Sequence, residues 1–108
     1  MTDRELEEFA AKAAGYSIYW HHADQSHHIE IGGSDRKWRP LKVDDGDALR
    51  LAVKLEMNLY VQKGKAIAEI CSDSDEPNIV ITMLHKDDAI GAMRSAIVHA
   101  AAEIGRAM

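Results

Sequence analysis

The stretch DDAIGAMRSAIVHAAAEIGRAM, residues 87–108, decides the fold class. Within it Ile90, Met93, Ile97, Ala101, Ile104 and Met108 recur at steps of three or four, the spacing that lines side chains along one side of an α-helix. Ala89, Ala92, Ala96, Ala100 and Ala102 fill much of the remainder, and alanine loses the least entropy on entering a helix. Asp87 can cap the free N–H groups of the first turn, and Asp88 adds negative charge at the positive end of the helix dipole. Each large apolar side chain on the stripe contributes about 1.5–3 kcal/mol when fully buried. Such a helix needs a surface to lie on.

Outward from it, the middle of the chain supplies that surface. Residues 79–84 form a β-branched strand, and 58–62 with 66–71 flank Lys63-Gly64-Lys65 as a hairpin. Asp44-Asp45-Gly46-Asp47 caps a helix carrying Ala48, Leu51, Ala52 and Leu55 and ending near Met57. Residues 16–31 read as another hairpin. A turn at Ala23-Asp24-Gln25-Ser26 would set His22 opposite His27, Trp20 opposite Ile29 and Ile18 opposite Ile31. Ile18, Trp20, Ile29 and Ile31 then share one face, and Tyr19, His21, His28 and Glu30 the other. Gly32-Gly33-Ser34-Asp35 ends the hairpin as a loop, and Trp38, Pro40 and Leu41 follow in an extended segment with Trp38 folding back on the core. Thr2 and Glu5 have capping-box spacing ahead of Leu6, Phe9, Ala10 and Ala13, so residues 3–14 read as a helix stopped by Gly15. Residues 72–78 read as a loop by composition. The expected architecture is one α+β domain over 1–108, an antiparallel sheet of about four to five strands packed with three helices, in the order α-β-β-α-β-β-β-α.

The chain has 108 residues, 46% of them hydrophobic and 29% charged, values that suit one folded domain with a real core. Thirteen Lys and Arg against eighteen Asp and Glu leave a net charge of −5. That sign turns the chain away from DNA phosphates and anionic lipid and toward cationic surfaces. Protonating the six histidines would cancel it. A lone Cys71 excludes an internal disulfide and suits a reducing compartment. With no long apolar run and no signal-like start, the expected location is the cytoplasm.

Three constellations bear on chemistry. His21-His22 and His27-His28 bracket the hairpin tip, and imidazole is the commonest transition-metal ligand. Alternation sends His22 and His27 to one face, where Asp24 of the turn would make a third ligand. The competing reading is an exposed, titratable tip. Carboxylates cluster at Asp44, Asp45 and Asp47, at Asp73, Asp75 and Glu76, and at Asp87 and Asp88. The 73–76 group lacks the Gly and Glu of a calcium loop, and the other two sit where helix caps are expected. Topology would nevertheless gather Asp44, Asp45, Asp47, Asp87 and Asp88 on one rim, a candidate partner-binding edge interrupted by Lys63, Lys65 and Lys86. Cys71 and His85 are a conceivable nucleophile and base, but a lone cysteine at a strand end reads first as packing. No phosphate loop, CxxC pair, HExxH or GxSxG occurs, so no catalytic residue and no cofactor is implied.

Two segments carry a resemblance. Trp38-Arg39-Pro40-Leu41 running into Asp44-Asp45-Gly46-Asp47-Ala48-Leu49-Arg50-Leu51-Ala52-Val53-Lys54-Leu55, and the ending from Arg94 to Met108, resemble small phage and prophage proteins of the α-β-α sandwich type. Arg39 departs from the W-N-P-L of that pattern. Ser95 and His99 stand where arginines are usual, which makes this helix less basic. The likeness covers about half the chain. It implies an α+β fold and an accessory gene, and it brings no catalytic residues. The functional expectation is a phage accessory protein in the bacterial cytoplasm that binds and blocks a host protein with a basic surface, such as a defence complex of the CRISPR type. It would touch neither nucleic acid nor membrane. The alternatives are a structural or morphogenesis module and, behind it, a histidine-dependent metal-binding protein.

Overall fold

Thr2 begins the first helix, α1 (Asp3–Ala14), as its capping-box spacing predicts. Its hydroxyl accepts from the Glu5 amide at 3.1 Å while its own amide donates to Glu5 Oε1 at 3.0 Å. Gly15 ends the helix at φ +75°, the left-handed turn that glycine adopts without steric cost. The computed structural model describes residues 1–31, 33–71 and 79–108, and of Ile31 only the backbone. Gly32, the loop expected over 72–78 with Asp73, Asp75 and Glu76, and the expected inward placement of the Ile31 side chain lie outside that description.

Next comes an antiparallel meander of β1 (Ile18–His21), β2 (Ser26–Ile31) and β3 (Ser34–Lys37). Ile18 pairs with Ile29, Tyr19 with His28, Trp20 with His27 and His21 with Ser26. The expected register is therefore wrong by two residues. The turn runs from His22 to Gln25, with Gln25 at φ +55° and its side-chain Nε2 donating to the His22 carbonyl at 2.8 Å. Because strand side chains alternate with a period of two, this slip keeps the described residues on their expected faces. β3 replaces part of the expected loop. Its sequence Ser34-Asp35-Arg36-Lys37 has no apolar alternation, and its one half-buried residue, Arg36, points a guanidinium at Asp47. Trp38 does turn inward: it is buried, its amide donates to the His27 carbonyl at 2.9 Å, and Tyr16 packs edge-on against it.

Helix α2 (Asp45–Lys54) starts on an Asp44 cap. A second antiparallel meander follows, β4 (Asn58–Gln62), β5 (Lys65–Ile70) and β6 (Ile79–Leu84), in that spatial order. Gly64 supplies the positive φ of the β4–β5 turn. The fold is α+β and antiparallel as expected, but it holds two three-stranded sheets instead of one sheet of four to five strands. Among the described residues no strand of β1–β3 pairs with one of β4–β6.

Helix α3 (Ala89–Arg106) joins the parts. It lies on β5 and β6 and also packs on α1 and α2. Ala96, Ile97, Val98, Ala100, Ala101 and Ala102 are all buried, so the covered face in the middle of the helix is wide, and only the strip of Ser95, His99 and Glu103 is left toward water. The stripe read from the sequence is thus wrong at its ends: Ile97 is 3% exposed, whereas Ile90 is 62% and Met108 65% exposed. The central buried face is mostly alanine because neighbouring elements approach closely. One apolar cluster runs from Leu6 of α1 through Ile29, Trp38 and Leu51 to α3. Among the described residues no helix is long and apolar enough to cross a membrane.

Candidate functional site

At the end of the molecule where α2 and α3 begin, a groove of about 360 Å³ opens between α2, the edge strand β4 and the first turns of α3. Leu49, Val61 and Ile90 line it and are 56%, 80% and 62% exposed. Single exposed apolar residues are ordinary, whereas several gathered around one concavity form the kind of patch that can bury apolar area against another surface. Leu59, Ala66 and Met93 complete its apolar walls. The polar rim is small. Arg94 bridges the groove mouth to Asp45 and also donates to the Lys42 carbonyl at 3.1 Å. His85 closes one side, and neither of its buried ring nitrogens has a hydrogen-bond partner among the described residues.

Topology does bring the two helix starts and the Lys63–Lys65 turn to one end, since Asp45, Lys65, His85 and Ala89 all line this groove. The five carboxylates expected on that rim have separate environments. Asp44 caps α2, accepting from the Asp47 amide at 2.9 Å, and Asp88 caps α3, accepting from the Gly91 amide at 2.8 Å. Asp45 is paired with Arg94, and Asp87 is exposed. Asp47 leaves the rim altogether: it is 1% exposed. Its Oδ1 meets Arg36 at 2.8 Å and Arg50 at 2.9 Å, and Oδ2 accepts from the Arg39 amide at 3.0 Å. Burial pushes its carboxyl group up, but these three partners outweigh burial and hold it below the ordinary carboxylate range. The surface at this end is therefore more apolar than the sequence implied.

The histidine hairpin departs further from expectation. His22, Asp24 and His27 do not come together. His22 is exposed in the turn, while His27 is buried toward α1, its Nδ1 3.0 Å from Glu7 Oε1 and its ring edge-on to Trp20. The set that does assemble is His21, Asp24 and His28, on the outer face of the first sheet. The two-residue register shift turns Asp24 toward that face. Its carboxylate has His28 Nε2 at 2.9 Å, His21 Nδ1 at 3.3 Å and the Ser26 hydroxyl donating at 2.7 Å. On its far side His28 Nδ1 lies 3.1 Å from Asp35 Oδ2, and Asp35 accepts from the Tyr19 hydroxyl. That bond to Asp35 raises the Tyr19 phenol to about 12. Hydrogen bonds to Asp24 and Asp35 raise His28, and the Ser26 and His28 bonds hold Asp24 well below its usual range.

Cys71 and His85 lie at opposite ends of the second sheet: Cys71 follows Ile70, which pairs with Ile79, whereas the His85 amide bonds the Gly64 carbonyl. Glu69 and burial push the Cys71 thiol up, the reverse of what an activated nucleophile needs. No protein family, curated protein or solved structure matches this chain.

Proposed function

We propose that this chain acts by binding another protein through the α2–β4–α3 groove, as a phage accessory factor that occupies and blocks a host defence complex of the CRISPR type. The observation that carries the docking reading is the gathering of Leu49, Val61 and Ile90, all largely exposed, around one concavity. A net charge of −5 favours a partner with a basic surface. The likeness of the α2 and α3 segments to phage accessory proteins supplies the biological setting, and the same two helices wall the groove. The morphogenesis alternative draws on another feature, the outer face of the second sheet, where Tyr60 of β4 and Val80 and Leu84 of β6 stand exposed on the same face, with β5 between them.

The test is a paired pull-down from bacterial lysates, uninfected and phage-infected, with wild type, Ile90→Asp and Val61→Asp as baits. Capture of a host defence complex by wild type and not by either variant supports the reading. Capture of virion proteins instead supports the morphogenesis module. A capture pattern that both substitutions leave untouched removes the groove as the docking surface.

A further inference from the structure

We propose that the outer face of the first sheet holds a binding site for a divalent transition-metal ion of the zinc class, with His21, Asp24 and His28 as its three protein ligands. One ligand atom from each residue lies within 4.8 Å of the other two. A tetrahedral zinc ion with bonds of 2.0–2.2 Å spaces its ligand atoms about 3.3–3.6 Å apart, so shifts of about an ångström close the set. The three residues come from β1, the turn and β2, so the fold of the hairpin itself brings them together. His21 and His28 stack, ring centroids 4.5 Å apart and planes 21° from parallel, with one nitrogen of each turned to the same carboxylate.

What surrounds these residues distinguishes the trio from a chance cluster. His28 is 8% exposed and so is fixed in place, while His21 and Asp24 are half-buried and reachable from water. The Asp35 carboxylate at Nδ1 of His28 keeps that nitrogen a donor, so Nε2, which donates to Asp24 at 2.9 Å, is the nitrogen that would give up its proton to an ion. Asp35 is held in turn by Tyr19. A carboxylate that orients a histidine from behind is the usual support of a metal-bound imidazole. His21 Nδ1 is buried and sits 3.3 Å from Asp24, yet it has no hydrogen-bond partner among the described residues. An ion between the rings and the carboxylate would satisfy it. Lys37, whose ammonium is 3.8 Å from Asp24 Oδ2, is a nearby cation that such an ion would displace.

Two imidazoles and one carboxylate select the class of ion. Calcium and magnesium prefer oxygen cages, whereas mixed nitrogen and oxygen donors suit zinc, cobalt, nickel and copper. Three protein ligands leave a fourth position for water. The bound ion would fasten the turn to both strands and leave the docking groove, on the other sheet, untouched.

The experiment is calorimetric titration of the full chain, stripped with chelator, with zinc chloride, alongside thermal unfolding with and without zinc. The expected result is one ion bound per chain and a melting temperature raised by several degrees at saturating zinc. His21→Ala and Asp24→Asn, both at partly exposed positions, abolish the heat and the shift, while His22→Ala retains them. No heat and no shift with wild type overturns the site. Binding that survives His21→Ala and Asp24→Asn, or that disappears in His22→Ala, overturns it equally.

Discussion

Two guanidinium groups and a backbone amide converge on the Asp47 carboxylate in a place that water scarcely reaches. Hydrogen bonds to a charged group contribute about 1.5–3 kcal/mol, so Asp47→Ala is expected to destabilise the protein by about 2–3 kcal/mol in urea denaturation. The pH dependence follows from the same partners. Asp47 is held below its ordinary value in the folded state, so the unfolded chain binds its proton more readily. Its stabilisation is complete above the ordinary carboxylate range and is lost as pH falls through that range toward the folded value. Asp24 and Asp35 are lowered too and contribute alike in both proteins. The urea midpoint of wild type is therefore expected to fall more steeply below about pH 4 than that of Asp47→Asn. Equal slopes would show that the carboxylate charge is not what Arg36 and Arg50 hold. The sequence made Asp44 legible as a cap, because Asp before a helical apolar pattern has few other uses. It hid the role of Asp47, because Arg36 and Arg39 come from a segment with no periodic pattern to place it. The histidines were half legible in the same sense. Alternation put His21 and His28 on one face, but only the turn geometry decides which way Asp24 points.

Helix α3 was the easiest element to read and its faces the hardest. Its alanines and its three-and-four spacing announce a helix, yet a helix whose buried face takes in most of its circumference has no narrow apolar stripe to find. The structure separates two isoleucines that the sequence treats alike. Ile97, 3% exposed inside the α1–α3–sheet contact, is expected to cost about 2–5 kcal/mol when cut to alanine. Ile90→Ala, at the open groove, is expected to change stability by less than about 0.5 kcal/mol. Comparable losses from both would mean that the groove is closed in solution. Gly105 gives a sharper probe of the helix crossing. A Cβ atom there would run into the Phe9 carbonyl group of α1, which is backbone and cannot swing aside. Gly105→Ala is expected to lower stability by about 1–3 kcal/mol or more, despite alanine's better helix propensity, and to show it as a lower melting temperature. Local pattern found both meanders except for β3, but it could not say that six strands divide into two sheets. Strand pairing between sheets depends on where α2 and α3 send the chain, and alternation within a strand carries no record of that.

Charge and apolar surface have different reach, and at the scale of the whole molecule this would separate how the proposed partner is found from how it is kept. The net charge of −5 acts over about a Debye length, roughly 10 Å at 0.1 M salt, and salt removes it. Contact at Leu49, Val61 and Ile90 acts only after water has left the groove, and salt does not weaken it. The ion pair at the groove mouth, Asp45 with Arg94, is already closed within the chain and offers little free charge to a partner. Binding to a basic partner is therefore expected to respond to salt mainly in its association rate, falling about tenfold between 0.05 and 0.5 M sodium chloride, with dissociation changed by less than about twofold. Ile90→Asp should do the reverse, speeding dissociation at every salt concentration and leaving the salt slope of association nearly unchanged. Surface plasmon resonance with the captured partner reads both rates at once. If salt instead sped dissociation and Ile90→Asp left it alone, the exposed carboxylates near the helix starts would be the contact surface, and the groove would be incidental.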